Sequence, residues 1–296
     1  MKQLITINDL SRTQIMDLLN SVTKLKQYKN SKPLENISIA NLFFENSTRT
    51  LVSFELAAKK LGATVINVNL SKSSTQKNET VRDTLLTLQA MGINAFVIRH
   101  SENGILQKVK QWLNHDTVLI NAGDGNNQHP TQALLDCYTI LKHKPEIAPL
   151  KISIIGDIKH SRVANSLIDC LHILGNKNIN IYGPKQLLPS PLEKAIVCNS
   201  LEQTLKHADV IVMLRIQKER MQQHTVDTLE NYHENYGLNR EKLKLANSDC
   251  IVMHPGPINR EVEISSELAD SFPSLILEQV HNGVLIRQAL LLKLCS

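Results

Sequence analysis

The sequence predicts an α/β protein of two units, each a mostly parallel sheet flanked by helices. Short apolar, β-branched runs alternate with amphipathic helical segments along the whole chain, as strand–helix–strand crossovers require. The 296 residues also exceed what a single core usually supports. His143 to Pro149, rich in charge and interrupted by Pro145 and Pro149, reads as the boundary. A first domain then covers residues 1–142 and a second covers 143–282.

Taken in order, Asn8-Asp9-Leu10-Ser11 caps a first helix whose apolar face is Ile15, Leu18, Leu19, Val22 and Leu25. Gln27 to Pro33 is a loop. Ile37 to Phe44 is a buried strand, and Phe54, Leu56, Ala57, Ala58 and Leu61 give a helix that stops at Gly62. Ala63 to Leu70 is a second strand, followed by the polar loop Ser71 to Glu79, which reads either as a solvated connector or, through its two lysines and hydroxyls, as a lid over an anion. Val81 to Met91 is a helix, and Ala95 to Ile98 a strand that ends on Arg99-His100. Val118 to Gly125 runs into a glycine-rich turn, then His129-Pro130-Thr131-Gln132 and a helix over Ala133 to Leu141. Pro130 suits the first helical position, so His129 lies at the helix N-terminus, where the dipole favours a neutral ring that can donate to a carbonyl.

Beyond the boundary, Leu150 to Ile155 is a buried strand ending at Gly156-Asp157, with a helix through Leu174. Ile179 to Tyr182, Val210 to Leu214 and Ile251 to Met253 are further strands. Lys218 to Leu229 is a charged helical stretch, and Gly283 to Leu294 a strongly apolar closing helix.

Bulk properties exclude several classes. The net charge of +5 is spread along the chain, and 4% aromatic residues leave few stacking platforms for single-stranded nucleic acid. A mild positive excess suits small anions instead. Met1 to Leu10 lacks the apolar core of a signal peptide, and no apolar run is long enough to span a membrane. Cys137, Cys170, Cys198, Cys250 and Cys295 have no metal-ligand spacing, so free thiols in a reducing cytoplasm are expected. A P-loop, a dinucleotide fingerprint, a serine nucleophile elbow and a paired-histidine metal site are all absent, so no cofactor or metal is expected.

The chemistry is expected where strands end. Ser47-Thr48-Arg49-Thr50 sits where a strand feeds a helix, and there backbone N–H groups, hydroxyls and a guanidinium can grip an anion. A capped helix with a surface arginine is the bland alternative. Arg99, Arg162 and Arg215 are placed similarly, each just beyond a strand. A cleft between two such sheets would carry a positive field fit for two polyanionic small molecules.

The segments Phe43-Phe44-Glu45-Asn46-Ser47-Thr48-Arg49-Thr50, His129-Pro130-Thr131-Gln132 and His254-Pro255-Gly256-Pro257, in that order, resemble the aspartate carbamoyltransferase family. The likeness extends over essentially the whole chain. It implies a carbamoyl-phosphate domain, an aspartate domain, and a C-terminal helix, residues 283–296, packing back on the first. It also implies a cytoplasmic homotrimer with shared active sites and no cofactor, making N-carbamoyl-L-aspartate for pyrimidine synthesis. A regulatory chain or a dihydroorotase is the kind of partner implied. By the same resemblance Ser47, Thr48, Arg49 and Thr50 cradle phosphate, and Arg99 bridges phosphate and carbamoyl oxygen. His129 and Thr50 polarise that carbonyl, and Gln132 holds the carbamoyl nitrogen. Ser73 and Lys77 reach in from a neighbouring subunit. Arg162, Arg215 and Gln217 bind the aspartate carboxylates, while the backbone around Pro255 and Gly256, the latter joined to Pro257 by a cis bond, orients the carbamoyl amide. Leu51 and Asn78 depart from the family pattern, which places arginine and glycine there. An ornithine-specific relative is the nearest alternative, opposed by Glu45 where such enzymes carry lysine and by the lack of their cysteine and leucine at His254 to Pro257. A non-catalytic structural homologue is the other.

Overall fold

Parallel strands cannot be joined by tight hairpins, so each needs a crossover, and the alternating pattern supplies helices for that purpose. The computed structural model describes residues 2–69, 80–189, 193–216 and 229–296. The first sheet is made of β1 (Gln3–Leu4), β2 (Ser38–Phe43), β3 (Thr64–Asn69), β4 (Ala95–His100) and β5 (Val118–Asp124). Its helices are α1 (Arg12–Ser21), α2 (Thr48–Lys60), α3 (Val81–Ala90), α4 (Ile105–Trp112) and α5 (Pro130–His143). The strand order is β1-β5-β4-β2-β3, and every pairing is parallel.

The second sheet contains β6 (Ile152–Ile155), β7 (Ile179–Tyr182), β8 (Ile196–Val197), β9 (Val210–Met213) and β10 (Ile251–Met253), in the order β10-β9-β6-β7-β8, again all parallel. With it go α6 (Arg162–Ile173), α7 (Leu201–Leu205), α8 (Leu229–Tyr236), α9 (Arg240–Leu243) and α10 (Ser266–Ala269), and the chain closes with α11 (Ile276–Cys295). It divides into two units, Met1–Leu135 with Val280–Ser296, and Asp136–Gln279. The two-sheet α/β architecture expected from the sequence is therefore the one observed.

Each sheet is buried as parallel sheets must be. In the first unit Ala40, Leu42, Phe96, Ile98 and Leu119 share a core with Leu85, Ile105, Leu106 and Val109. Residues 40/42 and 96/98 are two apart, so they lie on one face of their strands. In the second, Ile155, Ile211, Met213 and Val252 pack with Leu205, Leu238 and Leu268.

Caps behave as their chemistry dictates. Ser11 accepts from Gln14 N while the Gln14 side chain returns to Ser11 N, a full capping box, and Ser161 accepts from Ala164 N. All five cysteines are free thiols, with Cys137 Sγ and Cys170 Sγ 3.4 Å apart between α5 and α6. No helix among the described residues is long and apolar enough to cross a membrane.

Several expectations need correction. Arg99 and His100 lie inside β4 and not beyond it, because Arg99 stays in register with Phe43 and its carbonyl accepts from Phe44 N. α2 begins at Thr48, so the Ser-Thr-Arg-Thr segment forms the cap and first turn themselves. α4 has no counterpart in the sequence reading: its apolar stripe of Ile105, Leu106 and Val109 is narrow, and left-handed Gly104 starts it. The closing helix starts at Ile276, seven residues before the expected Gly283. That glycine is interior because a Cβ there would lie 2.6 Å from Arg287 Nη1 and 3.2 Å from Leu135 Cδ2. The C-terminal part of α11 thus packs on the first unit, as Arg287 also shows by donating to Ser53 Oγ at 2.8 Å and lying 4.9 Å over the Phe54 ring. The stretch Lys218 to Thr228, expected as a charged helix, lies outside the described residues.

Candidate active site

In open parallel sheets, ligands bind beyond the strand carboxyl ends, at the point where the strand order reverses. Both sheets have such a point. In the first, the chain moves outward from β2 to β3, then returns to place β4 on the other side of β2 and continues to β5. The reversal therefore falls between β2 and β4. In the second sheet it falls between β6 and β9 by the same logic.

At the first switch point, β2 leads through Ser47 into α2. Ser47 has a non-helical backbone and makes no side-chain capping bond, whereas Leu51 N donates to its carbonyl at 3.1 Å. The N–H groups of the next residues point out of the helix start, as first-turn donors do. Thr48 and Arg49 are exposed there, Ser47 is half-buried, and Thr50 is buried. Across the switch point, Arg99 Nε lies 2.7 Å from Glu45 Oε1, and Arg99 Nη1 donates to the Ala122 carbonyl at 3.2 Å. Glu45 and β5 thus hold the guanidinium from two sides. The neighbouring His100 stacks at a tilt on Phe44, 4.8 Å between centroids, and burial lowers its pKa.

β5 delivers the third part. Asp124 tethers the turn beyond it by accepting from Gly104 N at 2.8 Å and Asn127 Nδ2 at 2.9 Å. Asn121 does the same from within the strand, donating to the Ile5 carbonyl and accepting from Gly123 N. His129 follows as the residue before Pro130, and its carbonyl accepts from Gln132 N at 2.9 Å. Both side chains are buried, and α5 opens at Pro130 as a proline at the first helical position predicts. Arg287 donates to Ser53 on α2 and reaches Thr131 Oγ1 on α5 at 3.5 Å. It joins the two helices whose first turns carry Arg49, Thr50 and Gln132.

The second switch point is built alike. Gly156 follows β6 with φ +129, and a Cβ there would meet the Leu214 carbonyl at 2.6 Å. Gly156→Ala is therefore expected to lower stability by about 2 kcal/mol or more, read as a fall in Tm. The fully buried Asp157 accepts from His160 N at 3.2 Å and pairs with His160 Nδ1 at 2.9 Å, shaping the turn into α6. Arg162 is the buried first residue of that helix. Arg215 follows β9, and the next residue is anchored where Ile216 N donates to Glu263 Oε1 at 3.0 Å. Glu263 is wholly buried and also accepts from Asn259 N and Nδ2. Burial raises its carboxyl pKa, while those three donors pull against the rise. Beyond β10, Gly256 N donates to His254 Nδ1 at 2.9 Å, and the Gly256–Pro257 bond is cis.

Topology thus gathers Arg49, Thr50, Arg99, His129 and Gln132 at the carboxyl edge of β2, β4 and β5, and Arg162, Arg215, Pro255 and Gly256 at that of β6, β9 and β10. Ser73, Lys77 and Gln217 lie outside the described residues, as does Asn78. Glu263 and Arg287 belong to no motif, yet each is a charge set in apolar sequence, Val262-Glu263-Ile264 and the closing helix. That placement is the signal that marks them. Among the described residues no group of His, Cys, Asp and Glu is arranged to hold a metal ion.

Two arginine-bearing switch points in paired parallel sheets define a protein that handles small anionic substrates on two α/β units. Residues 2–142 match the family model described as the aspartate/ornithine carbamoyltransferase carbamoyl-P binding domain, and 148–294 match its Asp/Orn binding domain. The chain is 44% identical over 299 aligned residues to an aspartate carbamoyltransferase catalytic subunit of Xanthomonas campestris pv. campestris, covering 98% of this chain and 95% of that one. The aspartate transcarbamoylase of Trypanosoma cruzi, in complex with carbamoyl phosphate and aspartate, superposes with a TM-score of 0.87 at 28% identity, covering 98% and 96%. An ornithine carbamoyltransferase from Thermus thermophilus shares the fold, with a TM-score of 0.88 at 22% identity, covering 100% and 99%. The chain belongs to the aspartate/ornithine carbamoyltransferase family.

Proposed function

We propose that this chain is an aspartate carbamoyltransferase, passing the carbamoyl group of carbamoyl phosphate to the amino group of L-aspartate to give N-carbamoyl-L-aspartate and phosphate. Likeness over nearly its whole length to catalytic subunits of that name carries the reading, and arginines at both switch points support it. In the cell this is the committed step toward pyrimidines, carried out in the cytoplasm.

The first turn of α2, with Ser47, Thr48, Arg49 and Thr50, takes the phosphate on backbone N–H groups, hydroxyls and a guanidinium. Arg99 spans phosphate and carbamoyl oxygen, His129 and Thr50 donate to that oxygen, and Gln132 and the carbonyls around Pro255 and Gly256 hold the carbamoyl nitrogen. Arg162, Arg215 and Gln217 take the two carboxylates of aspartate. As the amine attacks the acyl carbon, charge grows on the carbonyl oxygen, where fixed donors stabilise it most. The leaving phosphate accepts the amine proton, so no covalent enzyme intermediate and no separate base are needed.

The working unit is a homotrimer in which Ser73 and Lys77 complete a neighbour's site. A regulatory chain or a dihydroorotase is the expected class of further partner. Incubating the purified chain with carbamoyl phosphate and either aspartate or ornithine tests the activity. Turnover with aspartate alone is expected; turnover with ornithine alone, or with neither, would overturn the proposal. Arg215→Ala is expected to raise KM for aspartate by about a hundredfold, with a smaller change in KM for carbamoyl phosphate, because one carboxylate loses a charge-assisted partner worth about 3 kcal/mol. Steady-state kinetics with each substrate varied in turn would check it.

A further inference from the structure

A side chain at the start of α11 bridges the backbone beyond β10 and α5. Gln279, in the first turn of α11, accepts from His254 N at 2.9 Å through Oε1 and donates to Asp136 Oδ1 at 2.8 Å through Nε2. A backbone N–H can only donate and a carboxylate can only accept, so the chemistry at both ends fixes which way the amide faces. Asp136 is fully buried, Gln279 is 2% exposed and His254 is 1% exposed, so water cannot stand in for either bond. The chain continues one step further, since Gly256 N donates to His254 Nδ1 at 2.9 Å. That bond places the proton of a neutral ring on Nε2 and folds residues 254–256 onto the imidazole. All four residues lie within the unit Asp136–Gln279.

We infer that Gln279 is a positioning residue for the carbamoyl group: it sets the depth and direction of the Pro255 and Gly256 carbonyls by holding His254 N against Asp136. The inference rests on the reading above in which those carbonyls receive the carbamoyl amide. Asp136 sits on α5, a regular helix, so within this unit the loop is referenced to a rigid element and not to another loop. A carbonyl shifted by about 1 Å loses its hold on an amide N–H and can cost on the order of a hundredfold in rate.

Exchanging donors and acceptors provides the test. Gln279→Glu puts a carboxylate where the amide donated, facing Asp136 at hydrogen-bond distance. Two carboxylates so close cannot both ionise, so the pair holds a proton with a raised pKa. The variant should lose tenfold or more of kcat/KM for carbamoyl phosphate at pH 8 and regain most of it as the pH is lowered toward 6. Adding Asp136→Asn restores the pairing with its polarity reversed, the introduced amide on α5 donating to the introduced carboxylate on α11. That double variant should return activity at pH 8 to within about threefold of the parent chain. Gln279→Glu within twofold of the parent at pH 8, or a double variant no better than Gln279→Glu, would overturn the inference.

Gln279→Met, similar in length and volume, serves if the glutamate variant does not fold. It should weaken carbamoyl phosphate tenfold or more while inorganic phosphate, which has no amide, binds as before. Equal losses for both, or none, would overturn the inference. A parent chain without any turnover would count instead against the activity, and the two failures are told apart by that control.

Discussion

Arg99→Ala is expected to lower kcat/KM for carbamoylation of aspartate by a thousandfold or more, about 4 kcal/mol of transition-state stabilisation. Arg99 stands on β4 next to the switch point, with Glu45 2.7 Å from Nε and the Ala122 carbonyl accepting from Nη1. A guanidinium held from two sides needs no reorganisation when negative charge moves from the acyl carbon's oxygen toward the leaving phosphate, and that fixedness makes its loss severe. Arg99→Lys keeps the charge but not the planar fork, so a loss on the order of a hundredfold is expected. The fold should survive both changes, because Glu45 is partly exposed and water can solvate it once its partner is gone. Kinetics beside thermal unfolding would decide the matter. A loss under tenfold with an unchanged Tm would remove Arg99 from the chemistry.

Two inactive variants mixed together should recover activity. On the proposed shared site, Arg49→Ala would remove the phosphate cradle of its own subunit, and Lys77→Ala would withhold the lysine lent to a neighbour. In a trimer reassembled at random from equal amounts, a site is intact when an Arg49-bearing subunit faces a Lys77-bearing one, about a quarter of all sites. Each variant alone should show less than about a hundredth of parental activity, and the remixed pool about a quarter. Mixing must follow dissociation in mild denaturant, with hybrid trimers confirmed by native mass spectrometry. Well-mixed hybrids that stay inactive would mean that each subunit supplies its own complete site.

Local residue chemistry made much of this legible. β7 and β10 span the residues their apolar runs indicate, because a short β-branched run bounded by polar residues has few other uses. α5 begins at Pro130 because proline lacks the N–H that a helix start leaves unused. The placement of Ser47 to Thr50 at a helix start and of the arginines near strand ends could be read directly, since caps and strand ends are local properties. Boundaries were weaker where packing outweighed pattern. Arg99 pairs with Phe43 and extends β4, and Gly283 reads as a helix start until Leu135 and Arg287 are seen against it.

Residue order alone determined the class of the chain, two α/β units with arginines at or near their strand ends, because periodicity, caps and charge are properties of neighbours in sequence. Only the tertiary structure decided that β4 lies beside β2 and β9 beside β6, which turns scattered arginines into two switch points. It also decided that Arg287 reaches Ser53 and Thr131, and that Gln279 stands between Asp136 and His254. Strand order and contacts between residues far apart in the chain come from which buried surfaces fit each other, and pairing of that kind leaves no periodic trace in the chain.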